Sequence, residues 1–322
     1  MSKEFELCGS AYSGNVERVT ALLKEGVNPN CADNIGQTPL LFAARNGHTE
    51  VVKALLDGGA DVDNASNFHK RTALYEAAIR FHYDIAKVLI AAGGDINHIS
   101  KDGVTPLHHI LLGDDSGIPL RPGVVRQFIA ELNPDVNKGT ERGETPLVFA
   151  AFNRQTDAMK ELIEAGSDVN KSGVNEDIPL YTALRYKSFE NVQILLKAGS
   201  NVNHANKYGQ TPLHTAVYEQ DARYITALLK AGADINQADN TGTTPLMFAV
   251  GLNSIEGTAL LLAAGADKRI VNKDGKTAMD IAKKKDNKDI MYLLNHMVIK
   301  NKPVKVASHT QTIQNQNINI RN

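Results

Sequence analysis

A short signature returns along this chain at nearly fixed intervals, and that repetition constrains the fold more than any other property of the sequence. TPLLFA begins at Thr38, TALYEA at Thr72, TPLHHI at Thr105 and TPLVFA at Thr145. IPLYTA begins at Ile178, TPLHTA at Thr211, TPLMFA at Thr244 and TAMDIA at Thr277. The successive steps are 34, 33, 40, 33, 33, 33 and 33 residues. One step of 33 back from Thr38 reaches Phe5, where FELCGSA reads as a worn copy, so nine units fill residues 1–297. An apolar doublet keeps the same phase, from Leu22-Leu23 and Leu55-Leu56 through Leu195-Leu196 to Leu261-Leu262. A glycine turn follows most doublets, as at Gly59, Gly166, Gly199, Gly232 and Gly265.

Each anchor has a local physical reason. Pro39, Pro106, Pro146, Pro179, Pro212 and Pro245 suit the first turn of a helix, where the missing N–H costs nothing. The Thr before most of them is a good N-cap. Small pairs such as Ala43-Ala44 and Ala77-Ala78 let neighbouring helices approach closely. A second helix follows, with Val51, Val52, Leu55 and Leu56 forming a stripe along one side. The glycine after it supplies a left-handed residue that closes the helix. An Asp-Val-Asn-like segment then runs to a turn centred on Gly36, Gly103, Gly143, Gly209, Gly242 or Gly275. One such unit cannot bury its own stripe; a stack of them can.

The period, the TPLH-like opening and the GADVN-like closing resemble the ankyrin repeat. The resemblance implies an all-α repeat, a solenoid of stacked helix pairs with β-turn fingers projecting from one edge. First helices and fingers would line a concave face that binds another protein. It also implies that His108 and His214, in the fourth place of TPLH, bond within and between repeats. Asn170, Asn203 and Asn236 match the context in which ankyrin asparagines are hydroxylated in eukaryotic cells.

Three departures stand out. The step of 40 places an insertion near residues 113–123, GDDSGIPLRPG, between the two helices of unit four. It reads as an exposed loop tolerated at an edge, with partner contact as the alternative. Asn133-Pro134-Asp135 then replaces the glycine turn, which suggests irregular stacking. In unit six, Ile178 replaces Thr and Glu176 replaces the finger glycine, which predicts a distorted finger. Residues 298–322 are polar, rich in Asn and Gln, and read as a disordered tail.

The net charge of −1 lacks the basic excess of a nucleic-acid binder. Only the KKKDNK run at Lys283 and the tail lysines favour that reading. No apolar run approaches a membrane span, and the start has no signal-peptide pattern. Cys8 and Cys31 are too few for a disulfide framework and read as reduced structural thiols in a cytoplasmic setting. They assemble no nucleophile–base pair, since His48 falls in an interhelical turn on the other edge. No metal or phosphate motif is present, so no cofactor is expected and the chain is not expected to be an enzyme. An atypical active site within the array is the alternative.

The leading reading is therefore a monomeric protein-binding module: a scaffold, adaptor or inhibitor, or an effector acting on host proteins. The resemblance places variable contacts on the fingers and just after the small pairs of the first helices. Aromatic residues and Arg recur there: Phe68, Arg71, Arg80, Arg142, Phe152, Arg185, Tyr186, Tyr208 and Tyr218. Tyr and Arg are common energetic anchors of interfaces. Units five to seven, beside the insertion, are expected to form the centre of the face.

Overall fold

The computed structural model describes residues 2–113 and 120–297. The tail at 298–322 and residues 114–119 of the insertion lie outside the described residues. Eighteen α-helices make nine consecutive pairs among the described residues, with one short 3-10 turn and no strand. The first helices are α1 (Lys3–Ser13), α3 (Pro39–Asn46), α5 (Ala73–Ile79), α7 (Pro106–Leu112) and α9 (Pro146–Phe152), then α11 (Pro179–Arg185), α13 (Pro212–Tyr218), α15 (Pro245–Gly251) and α17 (Ala278–Lys284). Each is followed by a second helix, from α2 (Val16–Lys24) and α4 (Thr49–Asp57) to α16 (Ile255–Ala263) and α18 (Lys288–His296). First helices stack on first helices and second on second, so each unit packs on its neighbours.

The anchors act as their chemistry predicts. Thr38 Oγ1 accepts the Leu41 N–H at 3.2 Å, and Thr72 Oγ1 accepts that of Tyr75 at 3.1 Å. Pro39, Pro106, Pro146, Pro179, Pro212 and Pro245 open their helices. Ile178 occupies a cap position without a capping side chain; it is instead fully buried, exchanging one hydrogen bond for apolar contact. Ala43, Ala44, Ala77, Ala78, Ala150 and Ala151 are buried where first helices meet. The doublets divide, with Leu22, Leu55, Leu89, Leu162, Leu195 and Leu228 in the core.

A ladder of asparagines joins the fingers. Asn203 Oδ1 accepts the Asp234 N–H at 2.7 Å, and Asn203 Nδ2 donates to the Gly232 carbonyl at 3.3 Å. Asn30, Asn137 and Asn170 make the same pair of bonds to the following unit. The Asp or Asn two residues earlier folds each finger locally, as Asp168 Oδ1 does by accepting the Asn170 N–H at 2.8 Å and Asn201 Oδ1 the Asn203 N–H at 3.0 Å.

Unit four is more regular than its sequence suggests. Asn133 takes the left-handed conformation of the missing glycine, with φ 46°. The ladder continues through it, the Asp135 N–H donating to Asn97 Oδ1 at 2.9 Å. The insertion does separate the helices of this unit, and it leaves α8 (Val124–Leu132) starting at Gly123 without a cap of its own. The next unit supplies one: the buried Glu161 carboxylate accepts the Gly123 and Arg126 N–H groups at 2.6 and 3.0 Å. An anion at a helix N-terminus satisfies orphan donors and complements the helix dipole. The finger of unit six is distorted as expected, with Asn175 and Glu176 both left-handed at φ 61° and 63°.

Candidate protein-binding face

In units four, six and seven the fourth position of the TPLH-like motif carries a link to the following finger. His108 Nδ1 accepts from Thr105 Oγ1 at 2.8 Å, and its Nε2–H donates to the Glu144 carbonyl at 2.9 Å. His214 repeats this, with Thr211 at 3.0 Å and the Thr243 carbonyl at 3.0 Å. Burial disfavours the imidazolium, pushing His108 down to about 4 and His214 in the same direction. Tyr181 fills this place in unit six, and its hydroxyl reaches the His204 and Gln210 carbonyls at 2.6 and 2.5 Å. Each link ends on the finger and holds it against the first helices. The histidines were legible in the sequence; the tyrosine equivalent needed the structure, because only its reach shows that a phenol can replace the imidazole.

Beyond these links, the exposed residues of the first helices make up the open face. Phe152, at the end of α9, and Tyr186, just past α11, meet with ring centroids 4.4 Å apart. They remain 48% and 41% exposed, and Tyr218 at the end of α13 is 60% exposed, although each belongs to a well-packed helix. Arg185, Tyr186 and Tyr218 border one open cleft with Gln210, His214 and Phe248. Tyr218 lies 6.5 Å from Phe248, centroid to centroid. Arg185 is fixed at the cleft by the buried Asp177 at 2.6 Å, which Asn206 Nδ2 also contacts at 3.1 Å. The arrangement offers apolar ring surface, phenol hydroxyls and an oriented guanidinium, a combination suited to a partner's side chains. Phe248 was missed in the sequence because it sits within the TPLMF motif, before the positions where variable contacts were expected; the cleft beside it is created by its neighbours.

The remaining candidates lie apart from this cluster. Phe68 and Tyr208 are exposed on fingers, covered on one side by Lys101 and Lys207, whose Nζ atoms lie 4.9 and 5.0 Å from the ring centroids. Arg142 is exposed on the finger before α9. Arg71 is drawn inward, whereas Arg80 stays 39% exposed. Both pair with Glu76 on α5, whose side chain is only 1% exposed, and Arg45 joins them from the preceding unit at 3.2 Å. The sequence presented these arginines as free anchors because a carboxylate inside the TALYEA motif gave no sign of its burial. Among the described residues, no group of His, Cys, Asp and Glu has the arrangement of a metal site, and no helix is long and apolar enough to cross a membrane.

Comparison with known proteins agrees with this architecture. The family model described as ankyrin repeats (3 copies) matches residues 7–100, 77–173, 120–206, 180–272 and 225–307. The chain is an ankyrin-repeat protein. It is 32% identical to the mitochondrial disaggregase of Bos taurus over 167 residues, 50% of this chain and 23% of that protein. It is 38% identical to SH3 and multiple ankyrin repeat domains protein 1 of Homo sapiens over 108 residues, 32% of this chain and 5% of that protein. With E3 ubiquitin-protein ligase XBAT33 of Arabidopsis thaliana it shares 30% identity over 155 residues, 48% of this chain and 28% of that protein. The chain thus spans less than a third of each of these relatives. Ankyrin repeats are in general protein–protein interaction modules, and the fold is typically non-enzymatic.

Proposed function

We propose that this ankyrin-repeat protein is a scaffold, adaptor or inhibitor that binds a partner protein on its first helices and fingers, centred on units five to eight. One observation carries the reading: Phe152, Tyr186 and Tyr218 stand open on consecutive units, and the last two share a cleft with Arg185 and Phe248. Exposed aromatic surface of this kind, held on rigid helices, costs little entropy to bind and marks an interaction site. Arg142 and Tyr208 extend the face along the fingers, with Phe68 at its far end. The partner is a protein and not a nucleic acid, since the chain carries no basic excess. We place the chain in the cytoplasm as a monomer; action on the proteins of a host cell is one form this role can take.

The test is affinity capture from lysate, comparing the parent chain with a Phe152→Ala, Tyr186→Ala, Tyr218→Ala variant of unchanged helicity. A protein retained by the parent and reduced at least tenfold by the variant supports the face. Equal recovery by both refutes it.

A further inference from the structure

Between the end units, the open face changes sign along the array. The stretch from finger to first-helix end covers residues 33–46, 67–80 and 100–113 in units two to four, with five Lys and Arg against three Asp and Glu. In units five to eight the same stretch covers residues 140–153, 173–186, 206–219 and 239–252, with three Lys and Arg against six Asp and Glu. The positive half is built around the buried Glu76, whose single carboxylate is shared by Arg45, Arg71 and Arg80. Asp102 offsets Arg71 at 3.5 Å, and Asp33 spends its carboxylate on the Ile35 and Gln37 N–H groups of its own finger. Arg80 turns Nη1 to Glu76; among the described residues its Nε and Nη2 make no hydrogen bond, and the side chain stays 39% exposed. Its planar fork of N–H donors fits a carboxylate. Lys70 and Lys101 are exposed on the adjoining fingers, the latter over the Phe68 ring.

We propose that units two to four hold an acidic segment of the partner protein, its carboxylates docking on Arg80, Lys101 and Arg45. The proposal rests on the reading of the first helices and fingers as the protein-binding face, and it adds the partner's chemistry. Three guanidinium groups around one carboxylate leave a positive excess that the fold does not neutralise, and a partner's carboxylates complete it. A nucleic acid does not fit this face. Its backbone is anionic throughout and would meet the negative half over units five to eight, whereas a polypeptide changes sign along its length. The same polarity sets direction: the acidic part of the segment lies towards unit two, and the apolar part reaches the aromatic cleft of units six to eight.

The experiment is fluorescence anisotropy of the full chain with three fluorescein-labelled peptides: four Glu followed by alternating Leu and Tyr, and the same peptide with Gln or Lys in place of Glu. The Glu peptide should bind at least tenfold more tightly than the Gln peptide, and the advantage should shrink as salt rises from about 0.02 to about 0.3 M. An Arg80→Gln, Lys101→Gln variant, which leaves Arg45 and Arg71 to balance Glu76, should bind the Glu peptide at least fivefold more weakly and the Gln peptide unchanged. Arg80→Lys keeps the charge and should keep the preference; circular dichroism confirms that each variant is folded. Equal binding of the three peptides, no binding of the Glu peptide, a Glu preference untouched by the double variant, or tighter binding of a labelled decathymidylate would overturn the proposal. The Phe152→Ala, Tyr186→Ala, Tyr218→Ala variant separates it from the reading it rests on, and should weaken the Glu and Gln peptides alike. A Glu preference with no effect of that variant upholds the acidic site and refutes the aromatic centre; weakening by that variant without a Glu preference does the reverse.

Discussion

Replacing Glu76 by Gln tests whether the arginines around it are held by charge or merely gathered by packing. The side chain keeps its shape and loses its charge. In the parent, its carboxylate faces Arg45 at 3.2 Å, Arg71 at 3.6 Å and Arg80, all while 1% exposed. Arg80 and Arg45 retain enough exposure to turn toward water, so they recover solvation when the charge is removed. Arg71 cannot; it is 16% exposed, its Nε has no partner, and its other contacts are the exposed Asp102 at 3.5 Å and the Tyr75 ring, whose centroid lies 5.3 Å from the guanidinium carbon. Removing one member of a buried pair costs about 3–5 kcal/mol, because the remaining charge stays buried. With two of the arginines able to relax, the lower end applies, about 3 kcal/mol. Urea is the denaturant to use, since it leaves ion pairs unscreened. A slope of about 2 kcal/mol/M makes the expected fall in midpoint about 1.5 M for the transition that melts units two to four. Hydrogen exchange should show the loss first in α3 and α5, since units couple to neighbours only. A midpoint within about 0.3 M of the parent would refute the argument, that being within the scatter of such extrapolations. Glu76→Leu combined with Arg71→Leu should regain most of the loss, as buried pairs replaced by apolar groups often do.

Two further outcomes follow from the same structure. Asn203→Ala removes both ladder bonds to the following unit and should cost about 1–2 kcal/mol, at roughly 1 kcal/mol for each bond; exchange of the Asp234 amide should quicken, and an unchanged rate would show the ladder to be incidental. Acid should loosen the array through His108: an unfolded imidazole titrates near 6.5, whereas burial depresses the folded one to about 4. The stabilisation is complete above about pH 6.5 and is lost as pH falls through the folded value, about 3 kcal/mol in all, with His214 acting in the same direction. Urea midpoints of the parent and a His108→Gln variant, compared at pH 7.5 and 4.5, should diverge at neutral pH and converge in acid; parallel lines would refute it.

The repeat, the helix starts and the left-handed closures were legible in the sequence because they are local. Thr before Pro caps a helix whatever surrounds it, and a glycine after the apolar doublet closes one for the same reason. Stacking followed from them, since no unit can bury its stripe alone. Failures of local reading came where another unit intervened. Asn133 looked like a defect in unit four, yet it supplies the left-handed turn and the ladder passes through it. Glu161 caps a helix 35 residues and more upstream, which no pattern in unit five announces.

The candidate face divides along the same line. Phe152, Tyr186 and Tyr218 could be chosen from spacing alone, because the period places them past the small residues of their helices, on the open side. That Phe152 and Tyr186 touch, that Phe248 joins the cleft and that Arg45 reaches Glu76 depends on distances between units, whereas Arg71 and Arg80 meet Glu76 within their own. Periodicity determines which side of the array a residue occupies. Whether its charge or ring remains available there is decided by its neighbours, within the unit or across the stack, because each contact covers surface that a partner would otherwise meet.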